Sequence, residues 1–340
     1  MIKPPHPTAP PRLPDPQAVR QRHWDRTEAT RYQCAAAHLD GAFRPRVLAQ
    51  SAEEELAPAA RVLGRYSIVE TVGGGAFGRV YRARDESGGT VALKELSPRS
   101  DDPALAARLF RREVATLLRL DHPTIPAVHA ASFGGPFYLA MDYVEGPTLE
   151  RLLDERGPID WHQAAEWGVR LASALAYLHQ QQPPILFRDL KPANVIIEAA
   201  SNEPRLIDFG IARALDVRSG QTLLGTPGYA PLEQWLGQAD AASDQYALGA
   251  TLHDVVSGTK ASYELARLRT TGHDVPSAMR ELFEPLDVVV PGVPSDFSAA
   301  VARACAHNPA ERFPDVTAFG VALGESLLAA TARALEAIQR

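Results

Sequence analysis

The stretch that decides the fold is LFRDLKPAN, at residues Leu186–Asn194. Phosphoryl transfer to a hydroxyl needs a carboxylate that orients the attacking group, together with oxygen ligands for a metal ion. Asp189 is predicted to orient the hydroxyl and Lys191 to stabilise the transferring phosphoryl group as a point charge. Asn194 is predicted to bind the metal through its amide oxygen.

A second metal ligand is predicted downstream, in the triplet Asp208-Phe209-Gly210. The triplet alone is uninformative. Its position after a short apolar segment, fourteen residues beyond Asn194, makes the combination specific. Carboxylate and amide oxygens suit Mg²⁺, which is a hard cation. Asn194 and Asp208 are therefore the predicted metal ligands.

A glycine-rich turn lies upstream, where GGGAFGRV at residues 73–80 fits the pattern G-x-G-x-x-G-x-V. Glycines let backbone N–H groups approach a polyphosphate without obstruction by a Cβ. The turn by itself does not distinguish a phosphate-binding hairpin from an ordinary flexible one. A dinucleotide-binding turn would open a helix, whereas the strand-like VYRAR follows here. The pattern favours a hairpin that covers phosphates.

Lys94 lies one strand later, among the apolar residues of the segment VALK. Burying a lysine charge is costly unless the charge is paired. Phosphate oxygens and the carboxylate of Glu113, in the helical segment FRREVATLL, would pair it. Taken singly, an exposed edge lysine and a solvated helix glutamate explain these residues as well. Taken together with the other motifs, they indicate a pair that positions phosphate.

The composition is that of an average globular chain, with 340 residues, 45% of them hydrophobic, and a net charge of -6. No long block of one sign occurs, which disfavours a nucleic-acid partner or an anionic membrane. Cys34 and Cys305 alone cannot form a disulfide framework or a four-ligand zinc site. The longest apolar run, near the C-terminus, is interrupted by Glu325, Arg333 and Glu336. We expect an amphipathic helix packed on the domain, no membrane span, and a cytoplasmic location.

The sequence divides into four parts. Residues 1–16 contain seven prolines and are expected to be a disordered tail. Residues 17–60 have a helical composition but are too few to bury a core, so this extension is expected to dock on the main domain or on a partner. Within residues 66–330 the sequence changes from a β-rich pattern to a helical one. Residues 331–340 are expected to end a C-terminal helix. The predicted fold class is α+β, with a small β-rich lobe before a larger helical lobe.

These motifs, in this order, resemble those of bacterial eukaryotic-like Ser/Thr protein kinases of the Hanks type, in a subgroup with F-R-D where H-R-D is usual. The resemblance runs from Tyr66 to Val316. GTPGYAPLE at residues 225–233 resembles the end of an activation segment, although the usual A-P-E reads P-L-E. SDQYALG at residues 243–249 resembles the buried helix that follows, and NPAERF at residues 308–313 resembles a late motif. The resemblance implies an ion pair between Glu233 and Arg312, and a structural role for Asp244.

The same resemblance implies a bilobal fold that uses ATP with Mg²⁺, or alternatively Mn²⁺, to phosphorylate Ser or Thr of proteins, itself included. Met141 would be the gatekeeper, and residues 142–144 would form the hinge that meets adenine. The implied nucleotide-binding residues are Val72, Gly73, Gly75, Gly78, Val80, Ala92, Lys94, Met141, Asp142 and Val144.

Arg188 precedes the predicted catalytic aspartate, and by resemblance such an arginine receives an activation-loop phosphate. The loop offers Ser219, Thr222 and Thr226. Thr226 is expected to contact Asp189, so phosphate is expected on Thr222 or Ser219, where its charge could order the segment against Arg188.

Phe187 stands where such kinases usually carry a His that packs in an apolar column and hydrogen-bonds to the D-F-G backbone. In this chain the column would consist of Leu117, Val128, Phe187 and Phe209. Phe supplies the packing and loses the hydrogen bond, which is worth about 0.5–1.5 kcal/mol net. No group that touches phosphate, metal or substrate hydroxyl is lost, so the loop is predicted to be intact.

Two alternatives remain beside the kinase. One is a pseudokinase that binds nucleotide or engages a partner through its N-terminal extension. The other is a small-molecule phosphotransferase with a similar fold, which would not be expected to keep the GTPGY segment and the Glu233–Arg312 pair. Six retained residues argue against the pseudokinase: Lys94, Glu113, Asp189, Lys191, Asn194 and Asp208.

Overall fold

The structure is a computed structural model that describes Leu56 and residues 59–75, 78–96, 108, 111, 114–132, 137–208 and 225–339. The predicted tail and nearly all of the predicted extension lie outside these residues. Four of the predicted site residues also lie outside them: Glu113, Phe209, Ser219 and Thr222.

The N-terminal part of the described chain is an antiparallel sheet, as the sequence predicted. Its strand order is β1-β2-β3-β4-β6-β5, and hairpins connect β2 to β3 and β3 to β4. The strand bounds are β1 Arg61–Val62, β2 Tyr66–Gly75, β3 Gly78–Arg84, β4 Thr90–Leu96, β5 Val128–Ala131 and β6 Phe137–Asp142.

The register of the sheet sorts its side chains onto two faces, because alternate residues of a strand point to opposite sides. Tyr81, Leu93 and Ala140 are directly paired across β3, β4 and β6 and are fully buried on one face. Ala92 is paired with Met141, and Lys94 with Val80, on the other face. The predicted nucleotide-binding residues of three strands therefore share one face of the sheet.

The sheet begins before Tyr66, where the kinase domain was predicted to start. β1 pairs with β2, and the Ala59 amide donates to the Ile68 carbonyl at 2.9 Å. Leu56 and Ala60 pack against the buried apolar cluster of the sheet. A two-residue strand carries too little alternation to be found from sequence. A shortened domain for experiments should therefore retain the residues from Leu56 onward.

The rest of the described chain is mainly helical. The two small strands β7 Val195–Ile197 and β8 Pro204–Leu206 pair with each other. The helix bounds are α1 Leu149–Arg156, α2 Trp161–His179, α3 Leu232–Trp235, α4 Ala241–Ser257, α5 Ala261–Thr270, α6 Val275–Arg280, α7 Leu286–Val289, α8 Ser295–Ala304 and α9 Val316–Ile338.

Helix α4 is the centre of this helical part. It is buried continuously from Ala242 to Val256 and packs against α2, α8 and α9. A capping box of Asp240 and Ser243 fixes its first turn. Gly249 allows close packing, since a Cβ there would lie 2.8 Å from the Cys305 sulfur. Because α4 is buried on all sides, side chains that extend from it have fixed positions.

Helix α9 is long and apolar enough to cross a membrane, and among the described helices it alone meets that test. Its first half is packed on the domain, where Phe319 and Leu323 are fully buried and contact is made with α2. From residue 331 onward the helix is exposed. The packing of the first half agrees with the predicted amphipathic helix. The predicted lack of a membrane span stays a prediction.

Candidate active site

The predicted phosphoryl-transfer loop brings its aspartate and asparagine together. The Asn194 amide nitrogen donates to Asp189 Oδ2 at 2.9 Å and to the Asp189 carbonyl at 2.7 Å. A 3₁₀ turn at Pro192–Asn194 brings the asparagine back toward the aspartate. Both side chains are buried. The Asp189 carboxylate is therefore held in one orientation by its own loop.

Lys191 and Thr226 complete a compact polar group around this carboxylate. The Thr226 hydroxyl donates to Asp189 Oδ1 at 2.8 Å and accepts from the Lys191 ammonium at 2.9 Å. The Lys191 ammonium lies 3.3 Å from Asp189 Oδ2. The contact between Thr226 and Asp189 is the one expected from the sequence. An aliphatic hydroxyl thus fits between a carboxylate and a cation in this site.

Lys94 reaches from the sheet to the second predicted metal ligand, and its ammonium forms an ion pair with Asp208 Oδ1. The lysine side chain is mostly buried, which agrees with the need for a partner. Asp208 has a φ of 66°, in the left-handed region that costs energy for a non-glycine residue. The Ile207 amide donates to the Asn194 carbonyl at 2.9 Å and ties the two loops together. The expected partner Glu113 lies outside the described residues.

The donor set suits a magnesium ion. Asn194 uses its amide nitrogen toward Asp189, so its Oδ1 is the atom suited to bind a cation. The described residues contain no group of three or more His, Cys, Asp or Glu side chains that could hold a metal alone. Mg²⁺ is commonly held by one or two protein oxygens with substrate phosphates. Asn194 and Asp208 fit that role.

The glycine-rich segment is a hairpin between β2 and β3, as the following strand indicated. Gly73 pairs with Val80 and Gly75 with Gly78. A Cβ on Gly73 would meet no atom within 4 Å. Packing within the described residues therefore does not require glycine there, and the missing side chain leaves the backbone open to a ligand. Val72 is exposed beside it.

The predicted hinge begins at Asp142, the last residue of β6, and Met141 just before it pairs with Ala92 of β4. Asp142 accepts from the Ala127 amide at 2.9 Å and contacts His129 Nε2 at 2.8 Å. Its backbone amide donates to the Ala127 carbonyl at 2.9 Å. Since the carboxylate and the amide are both engaged, the backbone carbonyl of Asp142 is the group suited to meet adenine. Val144 is buried.

Helix α4 anchors the backbone of the phosphoryl-transfer loop through Asp244. Its carboxylate accepts from the Phe187 amide at 2.8 Å and from the Arg188 amide at 2.7 Å. His179, at the end of α2, contacts the same carboxylate at 2.8 Å. These contacts agree with the structural role that the resemblance implies for Asp244. Sequence analysis missed His179, because a histidine in a helix gives no local sign of a partner 65 residues away.

Phe187 is 1% exposed, as a packing element should be. Leu117 is buried and Val128 is half-buried. Phe209, the remaining member of the predicted column, lies outside the described residues. The column therefore stays a prediction, although the burial of Phe187 agrees with it.

We expect Phe187→His to be nearly neutral, within about 1.5 kcal/mol of the wild-type free energy of unfolding, because it exchanges ring packing for one hydrogen bond. Phosphate transfer should change little as well. Chemical denaturation and transfer rates, measured side by side on both proteins, check this. A large loss of activity with unchanged stability would show that Phe187 acts in a way other than packing.

The predicted ion pair between Glu233 and Arg312 is confirmed. Arg312 Nη1 lies 2.7 Å from Glu233 Oε1, and both side chains are buried. Arg312 also donates to the carbonyls of Ala242 and Ala306, at 2.8 Å each. Ser243 donates to the glutamate at 3.2 Å. The end of the activation segment is thereby joined to the start of α4.

A second anchor of this segment was not predicted. The Tyr229 hydroxyl donates to the Asp254 carboxylate, which also accepts from the Ala261 amide at 3.0 Å. Gly228 has a φ of 89°, and a Cβ there would lie 2.6 Å from the Ala261 carbonyl carbon. Burial raises the pKa of Asp254 to about 7, against the hydrogen bonds that lower it. The segment is thus held against α4 and α5 by a carboxyl group that titrates near neutrality.

This raised pKa predicts a pH-dependent stability. The folded protein keeps a proton on Asp254 between about pH 4 and pH 7 where the unfolded chain has released it, so stability falls as pH rises through that window. Asp254→Asn should remove this contribution. In urea denaturation, the free energy of unfolding should fall less, or rise more, between pH 5 and pH 8 in the variant than in wild type. Equal differences would mean that the pKa of Asp254 is ordinary.

The structure joins a curled sheet to a helical part, and the site between them contains Lys94, Asp189, Asn194 and Asp208. This combination is that of the protein-kinase class. The family model described as the protein kinase domain matches residues 66–314. The chain belongs to this family.

The relatives are bacterial. Serine/threonine-protein kinase C of Synechocystis is 33% identical over 276 residues, which cover 76% of this chain and 49% of the relative. Serine/threonine-protein kinase PknB of Mycobacterium tuberculosis is 34% identical over 269 residues, which cover 73% and 41%. The crystal structure of the M. tuberculosis PknI kinase domain is similar with a TM-score of 0.63 and 31% identity, covering 80% of this chain and 99% of that one. The chain spans about half or less of the length of these curated relatives.

Proposed function

We propose that this chain is a protein kinase that transfers the γ-phosphoryl group of ATP to Ser or Thr hydroxyls of proteins, itself included. The observation that carries the proposal is the placement of the Thr226 hydroxyl between Asp189 and Lys191, at 2.8 and 2.9 Å. It supports the proposal because an aliphatic hydroxyl in this place contacts both groups at once. The names of the bacterial relatives support the same acceptor type.

In this mechanism Asp189 orients the acceptor hydroxyl and accepts its proton, while Lys191 stabilises charge on the transferring group. Lys94 holds the phosphates in line, and the glycine hairpin offers backbone N–H groups to them. Asn194 and Asp208 would hold Mg²⁺. When bound, this ion would neutralise negative charge on the phosphates. Most of the increase in the rate of phosphoryl transfer then comes from positioning of the reacting groups and from electrostatic stabilisation of the transition state.

Control of the enzyme is proposed to act through the activation segment. Arg188 would bind a phosphate on Thr222 or Ser219, and that charge pair would order the segment. The F-R-D loop is proposed to be a working variant of H-R-D. We also propose that the protein is cytoplasmic and has no membrane span. The extension at residues 17–60 is proposed to dock on the domain or on a partner. No nucleic-acid partner is proposed.

The proposal is tested by incubating the full chain with γ-labelled ATP and a generic protein acceptor, with Mg²⁺ or with EDTA. We expect label on Ser and Thr of the acceptor only when Mg²⁺ is present. Mn²⁺ should replace Mg²⁺ in part. Binding of ATP without transfer would make the protein a pseudokinase, and transfer to small alcohols but not to proteins would favour a small-molecule phosphotransferase.

A further inference from the structure

Two side chains from the helical part hold the backbone of Arg188, the residue that directly precedes Asp189. Arg188 has a φ of 66°, which is costly for a residue with a Cβ and persists only when neighbours enforce it. Asp244 accepts from its amide at 2.7 Å. On the other side, the Gln234 side-chain nitrogen donates to the Arg188 carbonyl at 2.7 Å. That carbonyl belongs to the peptide bond from which Asp189 extends.

Residues of the activation segment and of α3 place the Gln234 side chain at this carbonyl. Gln234 lies in α3, directly after the Glu233 that pairs with Arg312, and is 1% exposed. Its side chain passes beside Gly225, where a Cβ would lie 2.5 Å from its amide nitrogen. Gly225 also has a φ of 124°. Any other residue at 225 would therefore displace the amide of Gln234 from the loop.

We propose that Gln234 is a positioning residue that fixes the Arg188–Asp189 peptide and so aims the Asp189 carboxylate. The inference rests on the proposed phosphoryl transfer, because orientation of Asp189 matters only if it orients an acceptor. Phe187 cannot supply a ring hydrogen bond, so the loop depends on backbone anchors. Asp244 holds the Arg188 amide, which belongs to the preceding peptide bond, and Gln234 holds the carbonyl of the Arg188–Asp189 peptide bond. Gln234 also links the loop to the segment that presents Thr226.

The test compares three variants of the full chain. Gln234→Met keeps length and removes the donor, while Gln234→Glu keeps size and turns the donor into an acceptor facing a carbonyl. Gln245→Met is the matched control, since Gln245 is equally buried and hydrogen-bonds to the Phe313 backbone instead of the loop. For each variant we would measure kcat, KM for ATP, thermal stability, and amide hydrogen exchange of the peptide that covers residues 186–194.

We expect kcat of Gln234→Met to fall by up to about tenfold, the effect of one hydrogen bond, with KM for ATP unchanged. Gln234→Glu should fall further. Exchange of the loop peptide should be faster in both variants. Gln245→Met should lose thermal stability and keep both kcat and loop exchange. Rescue of kcat in Gln234→Glu at lower pH, where a neutral carboxyl can donate, would add support.

The inference is overturned if Gln234→Met matches Gln245→Met in kcat and in exchange of the loop peptide. If one Gln234 variant does not fold, the other gives the same comparison. If wild type transfers no phosphate, the proposed function fails. Hydrogen exchange then decides the positioning role by itself, with faster loop exchange supporting it and unchanged exchange refuting it.

Discussion

Asp189→Asn should lower the rate of phosphate transfer by about 10²–10⁴-fold, the range for loss of a general base. The amide keeps the size of the carboxylate but cannot accept the proton of the attacking hydroxyl. It also removes the charge that faces the Lys191 ammonium at 3.3 Å. Initial rates of phosphate incorporation, measured on purified wild type and variant at equal concentrations, check the prediction.

The matched control is Asp85→Asn, in the exposed turn between β3 and β4, where the carboxylate accepts from the Ser87 and Gly89 amides. This control should retain the wild-type rate, and both variants should still bind ATP. A rate for Asp189→Asn within a few-fold of wild type, in a preparation free of other kinases, would refute the assignment of Asp189.

Arg312→Met should reduce the free energy of unfolding by about 3–5 kcal/mol, because it leaves the buried Glu233 carboxylate without its partner. The arginine is fully buried and also donates to backbone carbonyls, which would lose their donors. Urea denaturation followed by fluorescence measures the loss. Activity should fall too, since Glu233 lies at the end of the activation segment and directly precedes Gln234.

Two comparisons make this result interpretable. The exposed pair of Arg61 and Glu86 has an N–O distance of 3.0 Å, and Arg61→Met should cost no more than about 1 kcal/mol. The double variant Glu233→Gln, Arg312→Met should recover part of the lost stability, because no unpaired charge remains. A loss for Arg312→Met as small as that for Arg61→Met would contradict a structural role for the buried pair.

The predicted site residues that the structure brings together are close in the chain or are followed by a clear change of pattern. Asp189, Lys191 and Asn194 lie in one short loop, so their spacing alone brings them together. The strand after the glycine-rich turn distinguished a hairpin from a helix-opening turn. The pair of Glu233 and Arg312 is separated by 79 residues and was available only through the family resemblance.

The contacts that sequence analysis missed depend on tertiary packing. His179 meets Asp244, and Gln234 meets the Arg188 carbonyl, across 65 and 46 residues. Neither residue belongs to a periodic pattern or a motif with its own chemistry. The raised pKa of Asp254 likewise results from burial, which the local sequence does not encode. β1 was missed for a different reason, since two residues are too few to show alternation.

The central claim is that a loop with Phe187 in place of the usual His is catalytically competent. The most direct test of this claim is mass spectrometry with phosphosite localisation. The wild-type chain is measured before and after incubation with ATP and Mg²⁺. We expect time-dependent phosphate on Ser or Thr, including Thr222 or Ser219, in wild type and none with Asp189→Asn. Wild-type protein that binds ATP yet stays unmodified, and phosphorylates no added protein, would contradict it.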